Sequence, residues 1–153
     1  MKKHDRSKFF AALVVPIFTL AFLGAAFAEE KEEHGGKKEE VKIPDNYSDA
    51  VAAIEGKRDS ITKLIEAGKL ADLHKEGEVI KKIAESLAKL ASKDDSGIAK
   101  SDIKEINLTA KALAATYNPL DEAGDNGKKD EAKKVFDEMV KLIDTLKKFA
   151  KKK

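Results

Sequence analysis

From Tyr47 to Phe149 the apolar residues of this chain return at steps of three and four, and no stretch alternates with a period of two. An apolar side chain at every third or fourth position lines one face of an α-helix, so this spacing restricts the folded part to amphipathic helices. The first predicted helix follows Pro44, is capped by Asn46 or Ser48, and carries Val51, Ile54, Ile61, Leu64 and Ile65 until Gly68 ends it. Arg58 falls on the same stripe and is expected at the edge of the core, its aliphatic stem buried and its charge in water. A second helix begins near Leu70 or Ala71, carries Leu73, Ile80, Ile83, Ala84, Leu87, Leu90 and Ala91, and stops in the polar stretch 92–97.

The third stripe is the most regular: Ala99, Ile103, Ile106, Ala110, Leu113, Tyr117 and Leu120. Leu120 keeps phase beyond Pro119, which predicts a helix that kinks there and continues to Ala123 before a turn over residues 124–127. The last helix opens with Asp130 and Glu131, buries Val135, Phe136, Met139, Leu142, Ile143, Leu146 and Phe149, and finishes in lysines. Acids early and bases late both favour the helix dipole. Four helices of roughly 20 to 25 residues, about twice the usual globular length, joined by short links, predict an all-α, up-down-up-down antiparallel four-helix bundle over residues 45–153.

The chain ahead of this region has a different character. Lys2, Lys3, Arg6 and Lys8 form a basic start, residues 9–28 carry no charge, and the run closes on Ala26-Phe27-Ala28 before Glu29. That layout reads as a secretory signal peptide, residues 1–28, with an A-x-A cleavage site, and it predicts export to a periplasmic or extracellular compartment. Pro16 and the small residues Gly24, Ala25, Ala26 and Ala28 weigh against an uncleaved anchor, so no stable membrane span is expected after cleavage. Residues 29–44, with acids and lysines intermixed, two glycines and no apolar residue before Val41, read as a solvated charged linker.

Removal of the leader changes the charge balance. The precursor has 30 Lys and Arg against 28 Asp and Glu; without the leader's four bases and one acid it has 26 against 27, a net charge of −1. No nucleic-acid partner is expected of such a chain. No cysteine is present, so no disulfide, cysteine-based metal site or thiol nucleophile is available to the 125 residues after the leader. The charges of the helical region are mixed in sign along every helix and mark no single face.

Leu120-Asp121-Glu122-Ala123-Gly124-Asp125-Asn126-Gly127-Lys128-Lys129-Asp130-Glu131-Ala132 resembles the link between the third and fourth helices of the periplasmic four-helix-bundle cytochromes, the soluble b-type cytochromes and cytochrome c prime. The resemblance covers about residues 47–150 and is one of architecture. It implies a haem-binding bundle, but the residues that hold haem in that family are missing. The C-x-x-C-H attachment motif is absent, the first helix has neither Met nor His, and the fourth has no His. His74 and Met139, the only such side chains in the predicted helices, would stand roughly 10 Å apart along the axis, too far for two ligands of one haem. Met139 is expected to fill the core.

His74 borders the apolar face of the second helix, one turn before Gly77. One reading makes it a boundary histidine bonded to a neighbour, with Gly77 allowing two helices to approach. The other groups His74 with Glu78 at i, i+4 and with Asp121 or Tyr117 from the end of the third helix as a small metal site. An EF-hand starting at Asp121 is excluded because Asn126 stands where glycine is needed and Ala132 where glutamate is needed. No phosphate loop or dinucleotide fingerprint occurs, and a single histidine in the helical region gives little basis for nucleophilic catalysis, so no enzyme is expected. The C-terminal lysines with Leu146 and Phe149 offer either a weak membrane-surface contact or a solvated helix end. The sequence therefore implies an exported, cofactor-free bundle that binds an unknown protein or small ligand, or acts structurally; the alternative is a cytochrome-like protein that holds a metal ion or haem through His74.

Overall fold

The computed structural model describes residues 41–150, and every regular element in that span is helical. Residues 1–40, which hold the predicted signal peptide and most of the predicted linker, and the three terminal lysines lie outside the described residues. Helix α1 spans Tyr47–Glu66, and its cap is Asn46: the extended backbone there turns the side-chain oxygen onto the Asp49 amide at 2.9 Å. Gly68, with φ of +70°, ends the helix, its own amide bonded to Ile65 and the Lys69 amide to the Leu64 carbonyl. A single 3-10 turn, Leu70–Asp72, leads into α2, Leu73–Ala91. Beyond α2 the Ser92 hydroxyl donates to the Ala88 carbonyl and the Ser96 hydroxyl to the Ala91 carbonyl, which absorbs two of the carbonyls left over at the helix end.

The third stripe folds as two helices, α3 over Ile103–Ala115 and α4 over Tyr117–Asp125. The predicted break is present, but it falls at Thr116, ahead of Pro119. Proline lacks an amide to give to the Ala115 carbonyl and its ring crowds that group, so the distortion appears on its N-terminal side. There the Thr116 amide and hydroxyl both turn onto the Leu113 carbonyl, at 3.2 and 2.6 Å, and the helical ladder resumes with the Leu120 amide on Thr116. Ala99 precedes α3 and is exposed, so the stripe begins four residues later than its spacing suggested. At the other end α4 continues past Ala123, and Gly124 is a buried helical residue instead of the first residue of a turn. Gly127, with φ of +65°, makes the reversal into α5, Lys129–Lys147.

Helix α1 packs on α2 and α5, while α2 and α5 each also pack on α3 and α4. Two contacts set the sense of α1 against α5. The Tyr47 hydroxyl at the start of α1 donates to the Leu146 carbonyl near the end of α5 at 2.9 Å, and Lys129 at the start of α5 reaches the Glu66 carbonyl at the end of α1. The core between the helices contains Ile54, Ile61, Leu73, Ile80, Leu87, Ile106, Leu113, Leu120, Met139 and Ile143, all fully buried. Among the described residues no polar or charged residue is buried. Each buried Leu, Ile or Met contributes about 1.5–3 kcal/mol relative to exposure, and in a chain without cysteine this apolar burial carries the stability. Val41 is half-buried against the core, so the final residues of the predicted linker 29–44 belong to the folded body. Arg58 lies at the core edge, close to Glu55, Asp59 and Asp144.

Candidate functional site

At the start of α2, His74 makes a contact within its own segment. The ring is half-buried and its Nδ1 lies 3.2 Å from the Ala71 carbonyl, a local contact of the helix start. Glu78 pairs with Lys82 at 2.8 Å, one turn along the same helix. Asp121, from α4, acts on Tyr117: burial raises the Tyr117 phenol above its ordinary pKa, and the charges of Asp121 and Glu78 and a hydrogen bond with Asp121 add to the rise. The Lys81 ammonium stands 5.0 Å from the centre of the Tyr117 ring. No three His, Cys, Asp or Glu side chains among the described residues come together in a way that could hold a metal ion.

The close helix approach read at Gly77 is present. A β-carbon there would meet the Tyr117 ring at 3.1 Å and Leu120 at 3.3 Å, so this glycine exists to admit α4. Met139 is buried in the core, as a space-filling thioether. Leu146 and Phe149 also turn inward, Leu146 within the core and Phe149 against it, while Lys147 pairs with Glu55 at 2.5 Å. No helix among the described residues is long and apolar enough to cross a membrane.

The concave surface lies at the opposite end of α2. The last turn of α2, the loop over residues 92–102 and the first turns of α3 enclose an open groove of about 750 Å³. Its floor is made by Ala88, Ala91, Ile98 and Ile103. Lys89 stands on the last turn of α2 and Lys93 just beyond it, Lys100 in the loop and Lys104 on the first turn of α3; Asp94 is the one acid in the lining. Lys93 gives a 2.5 Å hydrogen bond to the Asp45 carbonyl, which ties the segment before α1 to this end of the molecule. Sequence reasoning missed the groove because its lysines are distributed over a helix end, a loop and a second helix. The available signal was the four lysines, 89, 93, 100 and 104, gathered on both sides of the polar stretch 92–97.

The groove thus joins four lysines to small and aliphatic side chains. No protein-family model, no curated protein and no solved structure matches this chain.

Proposed function

We propose that this chain is an exported, non-enzymatic binding protein, an up-down-up-down antiparallel four-helix bundle that works through the lysine-lined groove at the end of α2 and start of α3. The bundle reading is supported by the packing of α1 and the α3–α4 pair on both α2 and α5, and by the opposed directions of α1 and α5. The leader supports export. The observation that carries the function is the groove itself, where four lysines surround an apolar floor on a body whose buried side chains, among the described residues, are all apolar.

A direct test is to isolate the protein from the extracytoplasmic fraction of cells that make it. The expected product begins at Glu29, shows no Soret absorption and carries no stoichiometric metal. A photo-crosslinking residue at position 100 then forms an adduct in those cells that the same residue at position 63, on α1, does not form. A haem spectrum, bound metal, or equal cross-linking at both positions would replace this reading.

A further inference from the structure

We infer that the groove is the docking site for an acidic, aliphatic segment of a partner protein, an inference that rests on the binding reading above. Charge gives the first argument. Elsewhere on the surface some lysines are paired, Lys57 with Glu76, Lys82 with Glu78, Lys128 with Glu131 and Lys147 with Glu55, while others, such as Lys63, Lys133 and Lys141, make no ion pair among the described residues. Lys89, Lys100 and Lys104 make no ion pair among the described residues, and they share the groove with Lys93. What sets the groove apart on a chain with nearly balanced charge is clustering: four lysines line one surface against a single acid, Asp94.

Apolar exposure gives the second. Among the described residues only two large apolar side chains are exposed, Ile43 at 43% and Leu108 at 60%. Leu108 follows Lys104 by one turn of α3, and Lys111 continues the same side one further turn on. Ile43 precedes by two residues the Asp45 carbonyl that Lys93 holds, so its backbone lies within about 7 Å of that anchor. Both exposed apolar side chains thus flank the lysines. Lysine beside leucine and isoleucine matches a partner that presents carboxylates beside aliphatic groups.

The remaining chemistry favours a polypeptide. Asn107 lines the groove, is half-buried and its side chain makes no hydrogen bond among the described residues, which leaves a donor and an acceptor for a peptide group. No aromatic side chain lines the groove for a base to stack on. A concave surface with an apolar floor also suits an inserted segment better than a flat anionic membrane.

The test is fluorescence anisotropy of the purified full-length protein with a labelled peptide of about twelve residues composed of glutamate and leucine. Comparison ligands are the same peptide with glutamine for glutamate, the same with serine for leucine, a soluble polyuronate, and phosphatidylglycerol vesicles. The Glu/Leu peptide is expected to bind best, to weaken about ten-fold on Lys89→Glu with Lys104→Glu and about three-fold on Leu108→Ser, and to be unaffected by Lys63→Glu with Lys133→Glu. Circular dichroism checks that each variant keeps its helices. Peptide binding indifferent to the groove substitutions would overturn the inference. So would groove-dependent binding of polyuronate or vesicles in place of the peptide, or self-association that the same substitutions abolish; the binding reading would survive these, with a different occupant. Failure of every probe overturns the inference alone, because the cross-linking comparison of positions 100 and 63 tests the binding reading independently.

Discussion

The two ends of α2 meet their neighbours in opposite ways. At the start of α2, Gly77 lies against Tyr117 and Leu120, and Gly124 of α4 approaches the preceding turn so closely that a β-carbon would stand 2.7 Å from the Leu70 carbonyl oxygen. At the far end, Ala88 and Ala91 line a groove in which Ile98 of the loop and Ile103 at the start of α3 are only half-buried, and lysines join the lining. Glycine removes the side chain that would separate two backbones, whereas lysine keeps its charge in water and holds the surface open. One helix is therefore closely packed at one end and bordered by an open groove at the other.

If the sealed end carries the stability, truncation there is the most damaging change. Leu120→Ala, at a fully buried position, is expected to lower unfolding free energy by about 2–5 kcal/mol in urea denaturation. Ile98→Ala in the groove floor, half-buried, should cost no more than about 1 kcal/mol. Equal losses would break the contrast between the ends. Gly124→Ala ranks next. Its new methyl meets backbone, which has little freedom to yield, so about 2 kcal/mol is expected despite the better helix propensity of alanine.

These positions also mark how far the sequence could be read. The core faces of α1, α2 and α5 were legible because burial there follows a 3.6-residue repeat: Ile54, Ile61, Ile80, Leu87, Met139 and Ile143 are all in the core. The break before Pro119 was legible in kind, and its displacement to Thr116 reflects the choice of the Thr116 hydroxyl and amide to bond Leu113. Gly124 was not legible. A glycine followed by Asp-Asn-Gly has the composition of a turn, and only the approach of Leu70 from a distant part of the chain makes it helical and buried. The groove was hidden for a similar reason, since mixed charge along each helix conceals lysines that meet only when α2, a loop and α3 come together. For His74 and Asp121, helix spacing could not tell which contacts they make, His74 with the Ala71 carbonyl and Asp121 with Tyr117.

The open end is nevertheless fastened. Tyr47 begins two residues after the Asp45 carbonyl held by Lys93, is 1% exposed, and ties α1 to α5 through its hydroxyl. Tyr47→Phe removes that bond while the Leu146 carbonyl keeps the Phe149 amide, so a loss of about 1 kcal/mol at neutral pH is expected. Burial raises the Tyr47 phenol far above its ordinary value near 10. A raised folded pKa means the folded state holds its proton longer; the stabilisation is complete below about pH 10 and is lost as pH climbs toward the folded value. Urea midpoints measured across this range should therefore fall more steeply with pH for the wild type than for Tyr47→Phe. Parallel curves would show that the buried phenol is not what fastens the groove end.

The smallest expected effect gives the most specific test of the sealed end. Gly77→Ala gains roughly 1 kcal/mol of helix propensity, but its methyl crowds the Tyr117 ring and Leu120, side chains that can each shift by a few tenths of an ångström. The two terms nearly cancel, and a net change within about 1 kcal/mol of zero is expected. Crowding and propensity separate in a double-mutant cycle with Tyr117→Ala. Without the ring at 3.1 Å, the same Gly77→Ala change should become stabilising, and the coupling measures the contact itself. Additive effects would mean that α2 and α4 are not pressed together at this glycine, and the contrast between a sealed and an open end would lose its structural basis.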